Sequence, residues 1–223
     1  MTPGSAPRRA ASSSQPQAAP IVFVVDDDLS VRESLELLIE SAGWKPETFA
    51  SAQEFLGRPK ALVPNCLVLD LSLPGLNGLE LQRRISVERA DLPIIFITGH
   101  GDVPKTVQAM KAGAVEFLTK PFSEEVLLTA IRQAIERSRA TLTEEAEIQE
   151  LRRRYALLTP REQQVMALVV SGMLNKQVGG ELGISEITVK AHRGKVMQKM
   201  KAESLAHLVK IAGRLGMPSP PKP

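Results

Sequence analysis

Carboxylate side chains stand at the ends of two strongly apolar segments of this chain. Asp26 and Asp27 directly follow the segment IVFVV, and Asp70 follows CLVL. If the two segments are neighbouring strands of a parallel sheet, these side chains converge at its carboxyl end, where such sheets bind ligands. Carboxylates gathered in this way repel each other and stay ionised only around a cation. Oxygen ligands that leave room for water and a phosphate favour Mg²⁺.

The predicted cation site suits the transfer of a phosphoryl group. A carboxylate beside bound Mg²⁺ can attack phosphorus and form an acyl phosphate. The Thr98 hydroxyl and the Lys120 ammonium end two further apolar segments, and they would hold the phosphoryl oxygens. Taken singly, each residue has an ordinary structural explanation, such as the helix cap that we expect of Asp28. Their recurrence at successive strand ends in one short domain favours a shared site.

The elements that position these residues alternate between strands and helices over residues 21–122. Segments that are apolar on both faces predict strands covered by helices on both sides. The motifs Ser30-x-x-Glu33 and Ser51-x-x-Glu54 predict helix starts with capping boxes. The spacing predicts a flavodoxin-like, doubly wound α/β domain with five parallel strands, at Ile21–Val25, Lys45–Phe49, Cys66–Leu69, Pro93–Ile97 and Glu116–Thr119. Lys45–Phe49 is more polar than the others, so we expect it near an edge.

Residues 123–156 continue the helical pattern but lose the apolar face in the middle, so we interpret them as a helical linker. The motif Thr141-x-x-Glu144 leaves open a break followed by a new helix. The spacing of Ile148, Leu151, Tyr155 and Leu158 keeps a short coiled coil between two copies open as an alternative.

Residues 157–216 predict a small all-α domain of four helices. Thr159-Pro160-Arg161-Glu162 combines a capping box with proline at the first helical position. Further helices are expected over Asn175–Glu181, Ser185–Met200 and Ser204–Leu215. The short glycine-containing turn between the second and third helices predicts a helix-turn-helix.

The third of these helices has two different faces. One face repeats Val189, His192, Val196 and Met200, and we expect it to lie in the core. The opposite face carries cations beside small residues and no acid, which suits the major groove of DNA; its members are Ile187, Lys190, Ala191, Gly194, Lys195 and Gln198. Arg193 lies to the side, where we expect it to contact phosphate.

Composition excludes several other classes of protein. The chain has 223 residues, of which 43% are hydrophobic and 24% charged, as in globular proteins of one or two domains. A single cysteine excludes a disulfide framework and a multi-cysteine zinc site. No apolar run is long enough to span a membrane, so we expect a cytoplasmic protein with no membrane partner. Residues 1–20 and 217–223 are predicted to be disordered tails.

The charge is distributed unequally between the two predicted domains. Residues 21–122 carry a net charge of −4 and residues 157–223 one of +6. This asymmetry predicts different partners for the two domains, and nucleic acid is the first candidate for the basic one.

Four motifs closely resemble, in order and spacing, those of a response-regulator receiver domain: VFVVDDD, LVLDLSLPGLNG, FITGHGD and EFLTKPF. The resemblance covers about residues 20–122 and implies that Asp70 is the phosphoacceptor. It also implies that Mg²⁺ is bound by Asp27, Asp70 and the backbone carbonyl of Ser72, with Asp26 helping through water.

The same resemblance assigns a second group of residues to the phosphoryl group and the switch. Thr98 and Lys120 would contact the phosphoryl group. Phe117 would occupy the aromatic switch position, and Thr98 would be the second residue of the switch. Lys120–Pro121 would be a cis peptide bond, which is uncommon enough to count as a prediction. Receivers often have Tyr where this chain has Phe117, so a plain core role for Phe117 remains the alternative.

Residues 157–216 strongly resemble the DNA-binding domain of the LuxR/NarL/FixJ type. We assign DNA binding to Thr188, Lys190, Ala191, Arg193, Gly194 and Lys195. The resemblance implies a dimerisation surface on the last helix, formed by Leu205, Leu208, Val209 and Ala212. The alternative is that this stripe only closes the domain core. One departure is Gly179-Gly180, where the family often has Ala first; an extra glycine costs a helix about 1 kcal/mol and predicts local softness.

Together the resemblances predict a phosphorylation-dependent transcriptional regulator and not an enzyme. A sensor histidine kinase would phosphorylate Asp70, and phosphorylation would promote homodimerisation and sequence-specific binding to double-stranded DNA. RNA polymerase is a further expected partner. The alternative is a phosphorylation-independent DNA-binding regulator that uses the receiver as a dimer scaffold. A third hypothesis, a Mg²⁺-dependent phosphohydrolase, is weakened because Asp70-Leu71-Ser72 lacks a second carboxylate two residues after the first.

Overall fold

The computed structural model describes residues 19–89, 91–99 and 103–217. Of the predicted tails at 1–20 and 217–223, residues 1–18 and 218–223 lie outside this range, as does the HGD part of the FITGHGD motif. The chain divides into two compact units between Leu142 and Thr143, and each unit is described by itself.

The first unit contains a parallel sheet of five strands in the order β2-β1-β3-β4-β5. This confirms the flavodoxin-like, doubly wound prediction, and the polar strand lies at an edge. The strands are β1 (Ile21–Val25), β2 (Lys45–Phe49), β3 (Asn65–Asp70), β4 (Ile94–Thr98) and β5 (Glu116–Thr119). β3 is one residue longer at each end than predicted, so Asp70 belongs to the strand, and β4 is shifted by one residue and ends at Thr98.

Helices cover both faces of the sheet, which is why β1, β3 and β4 are apolar on both sides. They are α1 (Leu29–Ser41), α2 (Ala52–Leu56), α3 (Gly78–Glu88), α4 (Val103–Lys111) and the first part of α5 (Glu124–Ala156). One core cluster joins the sheet to α1 and α5 through Leu35, Ile39, Leu127 and Ile131. The other joins it to α2, α3 and α4 through Phe55, Leu81, Ile85 and Ala109. The sheet is therefore packed between two apolar layers.

The start of α1 differs from the prediction. The side chain of Asp28 caps this helix and accepts hydrogen bonds from the backbone N–H groups of Ser30 (2.8 Å) and Val31 (3.4 Å). The predicted capping box Ser30-x-x-Glu33 is therefore wrong, and the cap expected of Asp28 is confirmed. A side chain can cap only if its own backbone is extended, and this holds for Asp28, whereas Ser30 already lies inside the helix.

The helix α5 runs without a break from Glu124 to Ala156. The Thr141 hydroxyl donates to the carbonyl of Arg137, one turn earlier, so no new helix begins at Thr141 and the break that the sequence left open is absent. In the first unit Leu127 and Ile131 of α5 are fully buried, and in the second unit Leu151 is buried.

The second unit adds four helices, which match the predicted domain: α6 (Pro160–Val170), α7 (Asn175–Leu182), α8 (Glu186–Met200) and α9 (Leu205–Arg214). The capping box at the start of α6 is present, with hydrogen bonds between Thr159 and Glu162 in both directions. The carboxylate of Glu162 also contacts Lys199 Nζ at 2.6 Å. The hydrogen bond from Lys199, with that from Thr159, holds the pKa of Glu162 below its usual value.

The two adjacent glycines of α7 have opposite surroundings. A Cβ added at Gly179 would lie 2.7 Å from the carbonyl oxygen of Ile184 and 3.7 Å from Val189, whereas one at Gly180 would meet no described atom within 4 Å. The expected softness therefore concerns Gly180 only, because Gly179 permits the close approach of α7 to the turn before α8.

Within the described ranges, none of the helices has the length and apolar character needed to cross a membrane.

Candidate functional site

The acidic residues predicted to converge do so at the carboxyl end of the sheet. β1 and β3 pair with Val25 opposite Leu69, which brings the residues after them, Asp26 and Asp70, side by side. One carboxylate oxygen from each of Asp26, Asp27 and Asp70 lies within 4.8 Å of the other two. Asp26 and Asp70 are buried, while Asp27 is exposed. The donor set consists of hard oxygens with one open side, and this chemistry fits Mg²⁺.

Lys120 also belongs to this cluster. Its Nζ donates to Asp26 Oδ2 at 2.7 Å and to Asp70 Oδ2 at 2.9 Å. The carboxylates are therefore partly paired inside the chain. The sequence analysis placed Lys120 at this site as a contact of the phosphoryl group but did not predict its pairing with Asp26 and Asp70, which are 94 and 50 residues away from it in the sequence.

Burial and pairing act in opposite directions on the pKa values of this cluster. Burial raises the pKa of Asp26, and the hydrogen bond from Lys120 only partly offsets it. Burial by itself would lower the pKa of Lys120, but its hydrogen bonds to Asp26 and Asp70 raise it above the ordinary value. Lys120 is therefore held as a cation among anions.

Backbone groups fix the orientation of the two buried carboxylates. Asp70 Oδ1 accepts from the N–H of Ser72 at 2.7 Å, and Asp26 Oδ1 accepts from the N–H of Asp28 at 2.9 Å. Arg32, which the sequence analysis did not single out, donates from Nη1 to the carbonyl of Asp26 at 2.7 Å.

Gly78 is a second residue that the sequence analysis missed. A Cβ at this position would lie 2.7 Å from the carbonyl oxygen of Asp70 and 3.1 Å from the ring of Phe96. Glycine therefore allows the start of α3 to pack directly against the end of β3. The signal in the sequence is a glycine directly after the helix-capping Asn77.

Thr98 and Phe117 lie on the two strands next to the acidic cluster. Thr98 is the last residue of β4 and is buried, and its carbonyl accepts from the N–H of Lys120 at 2.7 Å. Phe117 of β5 is partly buried, with its ring centroid 6.2 Å from that of Phe96. The cis peptide bond predicted at Lys120–Pro121 is confirmed.

The exposure pattern of α8 confirms its predicted orientation. Val189, Val196 and Met200 are buried, and His192 is partly buried, with no hydrogen-bond partner for Nδ1 among the described atoms. The predicted DNA-facing residues are all exposed: Ile187, Lys190, Ala191, Gly194, Lys195 and Gln198.

The prediction that the exposed face of α8 carries no acid is wrong. Glu186 lies beside this face and pairs with Lys190 at 3.1 Å across one turn. Two further predicted DNA-binding residues are partly buried and already have partners. The Thr188 hydroxyl lies 2.8 Å from that of Ser185, and Arg193 donates to the side chain of Asn175 at 3.2 Å. The structure thus separates the exposed Lys190 and Lys195 from Thr188 and Arg193, whose side chains are held within the domain.

The predicted dimerisation stripe of α9 has two kinds of members. Leu208 and Ala212 are buried and belong to the core of the second unit, whereas Val209 is partly buried and Leu205 is exposed. For Leu208 and Ala212 the structure thus favours the alternative, in which the stripe closes the domain core.

Comparison with known proteins assigns each of the two units to a family. The family profile of the response regulator receiver domain matches residues 22–132, and that of the bacterial regulatory proteins of the luxR family matches residues 156–212. Nodulation protein W of Bradyrhizobium diazoefficiens is 50% identical over 197 residues, which cover 88% of this chain and 87% of that protein. The chain belongs to the response regulators of the LuxR/FixJ type.

Other response regulators match over similar lengths. The transcriptional regulatory protein FixJ of Bradyrhizobium diazoefficiens is 43% identical over 196 residues, covering 88% of this chain and 96% of FixJ. Response regulator protein TodT of Pseudomonas putida is 43% identical over 213 residues, covering 96% of this chain and 94% of TodT. The solved structure of the response regulator StyR is 49% identical with a TM-score of 0.78, covering 88% of this chain and 100% of StyR.

For this response regulator, the resemblances seen in the sequence are confirmed at the level of the family. It is a two-component response regulator with a LuxR-type DNA-binding domain, and its relatives include transcriptional regulators. A receiver joined to such a domain implies a sensor kinase and DNA as partners. Receiver domains generally bind Mg²⁺ in an acidic pocket, and the cluster of Asp26, Asp27 and Asp70 fits this role.

Proposed function

We propose that this response regulator is a transcriptional regulator whose DNA binding is promoted by phosphorylation of Asp70 by a sensor histidine kinase. The observation that carries the proposal is the convergence of Asp26, Asp27 and Asp70 within 4.8 Å, with Lys120 in contact with two of them. A purely structural receiver would have no need to bury the carboxylates of Asp26 and Asp70 side by side, because buried charges cost stability unless they are compensated.

The transfer step uses the carboxylate of Asp70 as the nucleophile. One carboxylate oxygen forms a bond to phosphorus while the bond from phosphorus to the kinase histidine nitrogen breaks, and that nitrogen keeps the electron pair. Asp27, Asp70 and the backbone carbonyl of Ser72 would hold Mg²⁺, with Asp26 helping through water, and the ion would supply positive charge for the phosphoryl oxygens.

Lys120 and Thr98 then stabilise the product. Lys120 Nζ already lies 2.9 Å from Asp70 Oδ2, so it neutralises part of the added negative charge without a large movement. The Thr98 hydroxyl at the end of β4 binds a phosphoryl oxygen. Its displacement, together with that of Phe117 on the neighbouring strand, rearranges β4, α4 and β5 and so favours a receiver dimer.

The dimer presents two copies of α8 to DNA. Each α8 enters a major groove, with Lys190, Ala191, Gly194 and Lys195 towards the bases and phosphates and with Thr188 and Arg193 beside them. Two-fold symmetry places the half-sites about one helical turn apart. On α9, Leu205 and Val209 are the members of the stripe that remain accessible for contacts between copies.

The phosphorylation step is tested by treating the full-length protein with acetyl phosphate and Mg²⁺ and measuring the acyl phosphate. The Asp70→Asn variant should not be labelled. Asp28→Asn is the matched control, because Asn can also cap α1 and Asp28 makes no part of the carboxylate cluster; it should label like the wild type. Full labelling of Asp70→Asn at another residue contradicts the proposal.

The coupling to DNA is tested by measuring the dimer fraction and the affinity for a duplex selected by the protein from a random pool, with and without acetyl phosphate. Both should rise with phosphorylation in the wild type and stay constant in Asp70→Asn. No change on either measure supports the scaffold alternative. Many turnovers on small phosphate esters would support the phosphohydrolase hypothesis.

A further inference from the structure

Ile187 is a large apolar side chain that the second unit leaves in water. It lies in the first turn of α8, directly after Glu186, and it is 80% exposed. Exposing an isoleucine forgoes the favourable burial of its apolar surface. Its immediate neighbour Thr188 turns towards the domain and contacts Ser185, so the exposure of Ile187 follows from its place on the helix.

Ile187 lies in the middle of the face that points away from the domain core. With 3.6 residues per turn, it is roughly 160° around the helix from the centre of the buried Val189, Val196 and Met200. Residues one and two turns further along the same face are Ala191 and Gly194, both exposed. These small residues let the helix approach a surface closely, and Ile187 projects from the same side near the amino-terminal end.

The charges around Ile187 indicate that the partner surface that α8 approaches belongs to a polyanion. Lys190 and Lys195 flank the face and are exposed, and Glu186 carries its charge against Lys190 at 3.1 Å. An apolar group in the middle of such a face needs an apolar partner once water is displaced. In the major groove of DNA that partner is the C5 methyl group of thymine, and residues near the amino-terminal end of a recognition helix contact the base edges.

We propose that Ile187 contacts the C5 methyl group of a thymine and thereby determines the base at one position of each half-site. The inference rests on the proposed DNA binding by α8 and adds a specificity-determining residue to it. Ile187 donates and accepts no hydrogen bond through its side chain, so its discrimination comes from the methyl contact alone.

The test is a cycle of single changes in the protein and the DNA. A duplex is selected from a random pool by the full-length wild-type protein in the presence of acetyl phosphate and Mg²⁺. Each thymine is then replaced, one at a time, by deoxyuridine, which removes the methyl group and keeps the base-pairing groups. The affinities of wild type, Ile187→Ala and the control Leu157→Ala are measured on every duplex and on a random-sequence duplex. Leu157 is a similarly exposed leucine of the same unit, outside α8.

At one thymine of each half-site, deoxyuridine should weaken wild-type binding roughly fourfold, the worth of one buried methyl-sized group. The same replacement should have no effect on Ile187→Ala, and Leu157→Ala should behave like the wild type. The inference is overturned if Ile187→Ala keeps every deoxyuridine effect, if the selected site contains no thymine that matters, or if Ile187→Ala also loses affinity for the random duplex. Failure of the wild type to select any sequence would instead overturn the proposed function itself.

Discussion

Replacing Lys120 by Met removes the cation that lies between two buried carboxylates. Lys120 Nζ is 2.7 Å from Asp26 Oδ2 and 2.9 Å from Asp70 Oδ2, and these two side chains are only 1% and 9% exposed. Removing one partner of a buried ion pair costs about 3–5 kcal/mol, because the remaining charge stays buried and unpaired. Since Lys120 itself reaches solvent, we expect the lower end, about 3 kcal/mol, in the absence of divalent cations.

Excess Mg²⁺ should restore most of this loss. A ligand at 100 times its dissociation constant stabilises the folded state by about 2.7 kcal/mol, so the Lys120→Met variant should approach the stability of the metal-free wild type. The wild type should gain less from Mg²⁺ than the variant does, because its Lys120 already neutralises part of the negative charge of Asp26 and Asp70.

The chain contains a natural probe for this measurement. Trp44 is its single tryptophan, and it packs against the core of the first unit, so its fluorescence follows the unfolding of the receiver in the full-length protein. Urea unfolding is measured with EDTA and with excess Mg²⁺. Lys45→Met is the matched control, because Lys45 forms an exposed pair with Glu47 and such pairs contribute less than about 1 kcal/mol.

The reasoning is refuted if Lys120→Met is as stable as the wild type in EDTA. It is also refuted if Mg²⁺ stabilises both proteins by the same amount, since the carboxylates would then not depend on Lys120 for compensation.

We expect three further outcomes for variants of the second unit. Gly180→Ala should stabilise it by about 1 kcal/mol, whereas Gly179→Ala should destabilise it by up to about 2 kcal/mol because overpacking outweighs helix propensity; thermal unfolding that shows equal gains would contradict this. Glu162→Gln should destabilise the unit at pH 7. It should also make the free energy of unfolding, followed by circular dichroism, fall less steeply as the pH is lowered. The pairing of Glu162 with Lys199 stabilises fully above the ordinary carboxyl pKa of about 4.3 and is lost as pH falls through the lower folded value, so an unchanged pH profile would argue against the pair. Lys195→Ala should weaken binding to all duplexes and reduce the slope of log K against log salt concentration by about 1. An unchanged slope would show that Lys195 does not contact a phosphate.

Features that depend on neighbours along the chain were predictable from the sequence. The strands covered on both faces and the exposed face of α8 follow from periodicity within a few residues, and the helix cap at Thr159 follows from its capping motif. The convergence of the acidic residues was also predictable, because parallel strands place their carboxyl ends at the same side of a sheet. The receiver and LuxR-type motifs are equally local and identified the family.

Only the tertiary structure decided which groups meet across long sequence separations. It placed Lys120 between Asp26 and Asp70, put Leu208 into the core of its unit, and distinguished Gly179 from Gly180 by the carbonyl of Ile184. Periodicity and composition assign a residue to a face of its own helix or strand, but they carry no information about the atoms that pack against that face. Those contacts depend on strand register and on the distance between packed helices, which the folded chain sets as a whole.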